Sequence, residues 1–251
     1  RMRRLRQRVL LRTMARDLER QADLAEVCLA MSELAGQSIR AALRWLREDE
    51  LIVVAMGKLG GGELNVSSDI DLVFVHPSGA PPERLERSGR KLIALLNDVT
   101  EDGFAFRVDM RLRPYGDSGA LISGFDALEA YFVAQGREWE RYAWIKAHAV
   151  SGLDSDKESL AEIVRPLVFR KYLDYATLAA MRRLHAEVRR DVARRELAGH
   201  VKLGPGGIRE IEFVAQALQL VRGGRDPELA ARPTLAVLEV LARKRLLPEQ
   251  T

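Results

Sequence analysis

The sequence lacks several features that would assign it to a large class of proteins. It has one cysteine, Cys28, so neither an internal disulfide nor a cysteine-only metal site can form, and this usage suits a reducing cytoplasm. No apolar run reaches the roughly 18 residues that a membrane-spanning helix needs, and no hydrophobic segment is typical of a secretory signal. We therefore expect a cytoplasmic protein without a membrane partner.

The sequence also lacks a large excess of either charge and has few aromatic residues. The 40 lysines and arginines nearly balance the 36 aspartates and glutamates, which leaves a net charge of +4, and aromatic residues make up 6% of the chain. Nucleic-acid-binding proteins usually carry a dense basic surface. The composition therefore argues against a template-directed nucleic-acid polymerase, and we expect no nucleic-acid partner.

The sequence does contain enough apolar material for a core. The 251 residues, 47% of them hydrophobic, can form one large domain or two small ones. The first residues, RMRRLRQRV, already have a helical pattern, and the last, RKRLLPEQT, follow another predicted helix. We therefore expect the chain to be a piece of a longer protein.

The N-terminal segment, residues 1–50, is predicted to be helical. Apolar residues, among them Leu11, Met14 and Leu18, recur at three- and four-residue spacing over 4–48, with charged residues between them. This pattern is typical of amphipathic helices. Gly36 is the position at which the helix is expected to break.

Residues 51–124 contain the predicted strands. The apolar run LIVVAM at 51–56 is typical of a buried strand, and IDLVFVHP at 70–77 predicts a second strand. A helix is predicted over 81–98, because two prolines precede an amphipathic pattern. Residues 104–114 alternate strictly between apolar and polar, which predicts a third strand. We expect a three-stranded α/β unit here.

The rest of the chain, residues 125–251, has a helical pattern and is expected to pack on the α/β core. No internal repeat or low-complexity segment is present. Helices are predicted at 125–135, 137–151, 157–164, 174–197, 206–223 and 233–246.

Two aspartates interrupt the second strand at its start. Asp69 and Asp71 are two residues apart, so their side chains leave the same face of the strand. Like charges this close repel, and a divalent cation such as Mg²⁺, which prefers oxygen ligands, would neutralise them. Asp109 in the third predicted strand is a candidate third ligand, and three carboxylates can hold two ions about 3.5–4 Å apart for phosphoryl or nucleotidyl transfer. The alternative is structural, because an aspartate at the start of a strand is often a turn residue.

A glycine-rich turn precedes the aspartates. Backbone N–H groups can approach an anion closely at Gly57, Gly60, Gly61 and Gly62, and Lys58 adds positive charge. The turn matches neither a Walker A loop nor a dinucleotide-binding fingerprint, and by itself it could be an ordinary turn. Its position shortly before the two aspartates favours a phosphate-binding role.

These motifs together resemble a known family. A glycine turn after one strand, Ser-Asp-x-Asp at the start of the next and an aspartate in a later strand are similar to the DNA polymerase β-like nucleotidyltransferase superfamily. The resemblance narrows to the glutamine synthetase adenylyltransferase family on four segments: GKLGGGELNVSSDIDL, RVDMRLRPYGDSG, GREWERYAWIKAHAVSG and KLGPGGIREIEF. It implies an α+β fold, in which a small polymerase β-like nucleotidyltransferase sheet with flanking helices is followed by an all-helical region.

Members of this family carry two nucleotidyltransferase copies, an N-terminal copy that removes AMP from glutamine synthetase and a C-terminal copy that attaches it. This chain holds one copy. It resembles the N-terminal, adenylyl-removing copy in four segments: ELNVSSDID, GGIREIEF, RPLVFRKYLDY and LVRGGRDPEL. The resemblance therefore implies that the C-terminal adenylylating half of the same chain is a partner.

The resemblance also implies roles for particular residues. Two Mg²⁺ or Mn²⁺ ions would be held by the catalytic triad Asp69, Asp71 and Asp109. The phosphates or nucleotide would be surrounded by Gly57, Lys58, Gly60 and Ser68. The superfamily usually has Gly-Ser in the first turn, whereas this chain has Gly57-Lys58. Backbone amides and Lys58 would therefore replace the usual serine contact.

The implied reaction is phosphorolysis. Inorganic phosphate would attack the phosphorus of AMP on a tyrosine of glutamine synthetase and release ADP, with the ions positioning the phosphate oxygen and stabilising the leaving tyrosinate. Arg111 and Arg113 lie on the same predicted face as Asp109 and are candidates for orienting phosphate, because a guanidinium pairs with two oxygens at once. The alternative is that they are solvated or paired with a surface carboxylate.

Two helical segments are expected to support the site. Glu138 and Arg141 are spaced to pair on one face of their helix, where a structural salt bridge is favoured over a catalytic role. The segment LGPGGIREIEF begins a helix whose N–H groups could bind an anion. Its charged residues are candidates for fixing this helix against the catalytic unit: Arg209, Glu210 and Glu212.

Two other functions remain open. The chain could be the adenylylating paralogue, which uses ATP and releases pyrophosphate, or a catalytically idle domain that binds the PII signal protein. The intact set of three aspartates argues against the idle domain. The implied partners are glutamine synthetase, inorganic phosphate, ADP or ATP, and PII.

Overall fold

The computed structural model describes residues 1–77, 79, 81–169, 179, 183, 186, 190 and 199–247. The predicted helix at 174–197 lies almost entirely outside them. The chain divides into two compact units, one of Arg1–Ala134 with Lys146–Ile163 and one of Gln135–Ile145 with Val164–Thr251. The predicted domain limits at residues 50 and 124 stay a prediction.

Two helices, α1 (Met2–Leu18) and α2 (Leu24–Leu46), form the N-terminal segment where one interrupted helix was predicted. The chain turns between them because Arg20 adopts a left-handed conformation with a φ of 56°. Asp23 then caps α2 by accepting a hydrogen bond from a backbone N–H of its first turn at 2.8 Å. The expected break at Gly36 is therefore wrong, since Gly36 is buried inside α2.

The apolar residues whose spacing predicted α1 are largely exposed: Leu11 67%, Met14 40% and Leu18 80%. Other apolar residues of α1, Met2, Val9 and Leu10, pack against the core instead, and basic side chains hold the helix at the end of α4 (Pro82–Asn97). Arg3, for example, donates to the backbone oxygen of Asp98 at 2.9 Å. The spacing therefore predicted the helix correctly, but not the face by which it is attached.

Five short strands form a mixed sheet in the first unit. They are β1 (Ile52–Ala55), β2 (Ile70–His76), β3 (Val108–Asp109), β4 (Ile122–Gly124) and β5 (His148–Ala149). β2 pairs antiparallel with β1 and parallel with both β3 and β4, while β1 also pairs antiparallel with β5. The sequence predicted three strands, because β4 and β5 are too short to produce a recognisable alternation.

The inner strands are buried as their apolar runs predict. Every residue from Leu51 to Met56 is at most 1% exposed. α2 and α4 pack their apolar residues on this part of the sheet, and each fully buried aliphatic side chain contributes roughly 1.5–3 kcal/mol. The shared core includes Met31, Ile39, Val53, Phe74, Leu85 and Leu92.

The predicted strand at 104–114 is largely wrong, because only Val108–Asp109 pairs as a strand. Before it, the Phe106 N–H donates to the backbone oxygen of Leu96 at the end of α4, at 2.9 Å. After it, the Arg111 N–H donates to the Asp109 carboxylate at 2.8 Å, which turns the chain away from the sheet. The alternation is real, but local hydrogen bonds take backbone groups that a longer strand would need.

Helices make up most of the remaining described residues: α5 (Phe125–Gln135), α6 (Glu138–Ile145), α7 (Asp154–Val168), α8 (Ile208–Arg222) and α9 (Thr234–Arg243). Single 3₁₀ turns occur at Gly116–Ser118 and Pro227–Ala230. The predicted helix at 137–151 is too long, because the chain leaves α6 after Ile145 so that Ala149 can pair with Val54 of β1. The predicted helix at 157–164 is extended at both ends in α7.

A buried arginine organises the second unit. Arg141 is 1% exposed, and it donates to the backbone oxygens of Leu167 and Val168 at the end of α7, at 2.9 and 3.3 Å. It also pairs with Glu138 at 2.8 Å, which confirms the predicted pair. A cation at the C-terminal end of a helix satisfies carbonyl groups that have no partner within the helix.

Among the described residues, no helix is both long enough and apolar enough to span a bilayer.

Replacing Gly60 with alanine should destabilise the first unit. The new Cβ would lie 2.0 Å from the backbone oxygen of Lys146 and 2.6 Å from that of Ala55, and neither group belongs to a flexible side chain. We expect the free energy of unfolding to fall by at least about 2 kcal/mol, as in overpacked cores.

The matched control is Gly36→Ala, whose Cβ meets only the Arg40 side chain at 3.4 Å. Alanine inside a helix is favoured over glycine by about 1 kcal/mol, so this variant should be as stable as the parent or more stable. Urea unfolding measures both. Equal stability of the two variants would contradict the expectation.

Candidate active site

The carboxylates of two strands meet at the start of β2. β2 and β3 run parallel, and Asp71 and Asp109 are direct partners across the pair. Side chains of paired residues leave the same face of a sheet. The two predicted ligands that are far apart in sequence are therefore neighbours. Asp69 lies just before β2, two residues from Asp71 and thus on the same side.

The glycine turn lies directly against Asp71. Residues Gly57–Gly60 form a single helical turn (α3) immediately after β1. Gly57 has a φ of +52°, and a Cβ at this position would lie 2.6 Å from Asp71 Oδ2. The position therefore requires glycine for its conformation and for its closeness to a carboxylate. The turn and the aspartates, which the sequence linked only by spacing, are in contact.

Lys58 and Ser68 converge beside this turn. Lys58 Nζ lies 3.5 Å from Ser68 Oγ, and Ser68 Oγ donates to Asn65 Oδ1 at 2.8 Å. The Ser67 N–H also donates to Asn65 Oδ1, at 3.1 Å, in the manner of an Asx turn. An ammonium and a hydroxyl are thus held together, and Asn65, which the sequence did not single out, positions the serine.

Two arginines neutralise the outer carboxylates. Arg111 donates from Nε to Asp109 Oδ2 at 2.9 Å, and its Nη2 contacts the same oxygen. Arg107 donates from Nε to Asp69 Oδ1 and from Nη2 to the backbone oxygen of Ser67. Arg107 was not predicted as a site residue. The signal for it is the alternation of 104–114, which places it on the same face as Asp109.

The charge around Asp109 shifts its acidity. Hydrogen bonds from the Arg111 guanidinium are the largest influence and lower the pKa of the Asp109 carboxyl, while burial, the next largest, opposes them. The Arg111 backbone N–H and the positive charges of Arg111 and Arg113 add to the lowering, so the pKa of Asp109 lies below its usual range. In return, the Asp109 carboxylate raises the pKa of Arg111. The pair is therefore charged throughout the neutral pH range.

Arg113 is placed differently from Arg111. Its side chain is largely buried, and it donates from Nη1 to the backbone oxygen of Met110 at 2.8 Å. It also lies 3.5 Å from Asp117. Arg113 thus stabilises the turn that follows β3, and its predicted contact with phosphate stays a prediction.

The donor set fits a hard divalent cation by its chemistry. Carboxylate oxygens are the ligands that Mg²⁺ and Mn²⁺ prefer, and the register brings two of them together. Within the part of the chain that the structure describes, no three His, Cys, Asp or Glu side chains are gathered around one point to hold an ion. Asp69 and Asp109 pair with Arg107 and Arg111 instead, so binding of an ion by all three aspartates would require these arginines to move away.

The charged residues predicted to support the site lie in the second unit. Arg209, Glu210 and Glu212 belong to the first turns of α8. Glu210 accepts a hydrogen bond from the Gly206 N–H at 2.8 Å, which satisfies a free backbone donor where the helix begins. Glu210 therefore has a local capping role, and the wider role of the three residues stays a prediction.

Comparison with known proteins identifies the family. A family model described as glutamate-ammonia ligase adenylyltransferase matches residues 1–163. The chain belongs to this family. A second model, described as GlnD PII-uridylyltransferase, matches residues 178–251.

Several relatives are similar over nearly the whole chain. Each is a bifunctional glutamine synthetase adenylyltransferase/adenylyl-removing enzyme. The protein from Chromobacterium violaceum is 56% identical over 98% of this chain, that from Nitrosomonas eutropha is 52% identical over 100%, and that from Neisseria meningitidis is 46% identical over 99%. The chain spans about 30% of the length of these relatives.

Two predictions are thereby confirmed. The family resemblance is borne out by the family model and by these relatives. The α+β fold class is borne out by the small mixed sheet with flanking helices and by the helical remainder. The names of the relatives cover both the attachment and the removal of AMP, so they do not distinguish the two halves.

Replacing Arg111 with methionine should raise the pKa of Asp109 towards its usual range, because the main cause of its depression is removed. A depressed carboxyl pKa contributes stability that is present above the pKa of the unfolded chain and is lost as pH falls through the folded-state pKa. The variant should therefore lose less stability on acidification than the parent protein.

Titration of the Asp109 carboxyl carbon by NMR in metal-free buffer measures the shift directly. Arg90→Met is the control, since it removes a cation that pairs with Glu86 on α4 and should leave Asp109 unchanged. An Asp109 pKa that is the same with and without Arg111 would refute this account of the site.

Proposed function

We propose that this chain carries out metal-dependent removal of AMP from an adenylylated tyrosine of glutamine synthetase by phosphorolysis. It would act as the adenylyl-removing half of a bifunctional regulator of nitrogen assimilation. The observation that carries the proposal is the contact of the Gly57 turn with Asp71, beside the register partner Asp109. An anion-binding turn against paired carboxylates is what a nucleotidyltransferase needs.

The direction of the reaction is supported by the sequence. The segments ELNVSSDID and GGIREIEF resemble the adenylyl-removing copy of the family rather than the adenylylating one. The names of the relatives include both activities and do not decide the direction. The proposal of removal rather than attachment of AMP therefore rests on the resemblance of these two segments.

The residues that would hold Mg²⁺ or Mn²⁺ are Asp69, Asp71 and Asp109. Two bound ions would polarise the phosphoryl group and stabilise the negative charge that develops on the leaving oxygen. The Asp69 and Asp109 carboxylates are ion-paired with arginines, so a bound cation would take the place of these guanidinium groups.

The other side chains would bind and orient the anions. The Lys58 ammonium and the backbone at the start of the 57–62 turn would hold a phosphate, because the N–H groups of Gly60–Gly62 already donate to backbone oxygens of residues 56–59. Ser68 would donate its hydroxyl proton to a phosphate oxygen. Arg107 and Arg111, once displaced from Asp69 and Asp109, would be available to pair with phosphate oxygens. An oxygen of hydrogen phosphate would form a bond to phosphorus as the tyrosyl oxygen leaves with its electron pair. The proton that the phosphate loses on becoming the β-phosphate of ADP would balance protonation of the tyrosinate.

The proposed partners follow from the reaction and from the comparisons. Glutamine synthetase would be the protein substrate, inorganic phosphate the second substrate and ADP the product. The similarity of residues 178–251 to a PII-uridylyltransferase model supports PII as a regulatory partner. The adenylylating half would be a partner in the same longer chain.

The direction of the reaction can be decided by two parallel assays. Adenylylated glutamine synthetase with inorganic phosphate should yield ADP in the presence of Mg²⁺ or Mn²⁺. Unmodified glutamine synthetase with labelled ATP should take up no AMP. Omission of phosphate from the first assay is the control, and it should abolish ADP formation. Transfer of AMP in the second assay would overturn the assignment of the half.

The metal-binding role can be tested with the double variant Asp69→Asn and Asp71→Asn. Loss of two ionic ligands should lower phosphorolysis by at least about a hundredfold and weaken Mn²⁺ binding as measured by electron paramagnetic resonance. Asp154→Asn is the matched control, because Asp154 is an exposed residue at the start of α7. Unchanged Mn²⁺ binding in the double variant would rule out these ligands.

A further inference from the structure

A buried lysine lies close to the glycine turn. Lys146 follows α6, precedes β5 and is 3% exposed. Its Nζ donates to Glu63 Oε2 at 2.7 Å. Withdrawing an ammonium group from water costs several kcal/mol, and replacing such a pair with apolar residues is often neutral or stabilising. Stability alone is therefore a weak reason for placing this pair here.

Glu63 is the residue at which the glycine turn ends. Its N–H donates to the backbone oxygen of Lys58 at 2.8 Å, and the Gly61 N–H donates to that of Gly57 at 3.0 Å. Gly60, inside the turn, lies against the backbone oxygen of Lys146, where a Cβ would come within 2.0 Å. Residue 146 therefore holds the turn twice, through an ion pair and through close backbone packing.

The other end of the same turn meets the carboxylates. Gly57 lies against Asp71 Oδ2, and the Met56 N–H donates to the Asp71 backbone oxygen at 2.9 Å. Just after Glu63, the Leu64 N–H donates to Ser32 Oγ of α2 at 3.1 Å. The turn is thus fixed at both ends. A shift of Glu63 would therefore move the backbone N–H groups of the turn relative to the Asp71 carboxylate.

We propose that Lys146 is a positioning residue, which acts through Glu63 to set the placement of the 57–62 turn against the Asp71 carboxylate. The geometry is independent of the reaction, whereas the identity of the anion, inorganic phosphate or a nucleotide phosphate, rests on the proposed function. Exposed pairs such as Lys157–Asp154, which join neighbouring residues of α7, do not connect to this turn.

The test compares Lys146→Met with Lys146→Arg, which keeps the charge, and with Lys157→Met as the matched control. Three properties are measured well below the unfolding temperature. They are amide hydrogen exchange of residues 57–64, KM for phosphate against kcat in phosphorolysis, and the Kd of ADP with Mn²⁺ by calorimetry. Exchange and ADP binding need no turnover, so they do not depend on the direction of the reaction.

In Lys146→Met we expect faster exchange of residues 57–64, with β2 unchanged. KM for phosphate and the Kd of ADP should rise by about tenfold or more, while kcat changes less, because a misplaced binding group mainly weakens binding of the anion. Lys146→Arg should recover part of the loss. Lys157→Met should match the parent protein in all three measurements.

The outcomes separate this proposal from the proposed function. Unchanged exchange, or altered exchange with unchanged KM and ADP affinity, would overturn the positioning role. If the parent protein gives no phosphorolysis, the proposed function fails, and exchange and ADP binding still decide the role of Lys146. If Lys146→Met does not fold, Glu63→Gln, which keeps an acceptor but removes the charge, replaces it with the same expected results.

Discussion

Strand β2 pairs with β1 on one side and with β3 and β4 on the other, and its register decides which side chains enter the core of the first unit. Ile70 and Leu72 are fully buried, while Asp71 between them remains partly exposed. Because side chains alternate along a strand, a slip of one residue would move the carboxylate into the core and an aliphatic group out of it. The same register places Asp71 beside Asp109 and against the Gly57 turn, so the candidate site depends on it.

Compensation of charge is the second constraint on this region. Asp69 pairs with Arg107 at the surface, and the partly buried Asp109 pairs with the exposed guanidinium of Arg111. Solvent-exposed guanidinium groups contribute little to stability through such pairs and can exchange for another cation. In the pair of Lys146 with Glu63 the lysine is buried and the glutamate is partly buried, so leaving the Lys146 ammonium without this partner would be costly. The site thus combines exchangeable pairs at the carboxylates with a fixed pair behind the glycine turn.

Predictions from sequence succeeded where the signal was local. The apolar run at 51–56 and the apolar run that begins at Ile70 became β1 and β2, because a continuous buried strand needs no information from elsewhere in the chain. The alternation at 104–114 was wrong as a long strand, since Phe106 and Asp109 use hydrogen bonds with α4 and with the following turn. β4 and β5 were missed because strands of two or three residues form only when a neighbouring strand offers hydrogen bonds.

The sequence by itself determined the two central strands, the expected shared face of Asp69 and Asp71, and the glycine-rich turn before them, which follow from residue types and from spacing over a few positions. The family followed from the resemblance of four separated segments. Only the tertiary structure decided that Asp71 is the partner of Asp109, that Arg107 neutralises Asp69 from 38 residues away, and that Lys146 reaches Glu63 from 83 residues away. Such pairs depend on the sheet register and on burial, which arise only when distant segments pack together.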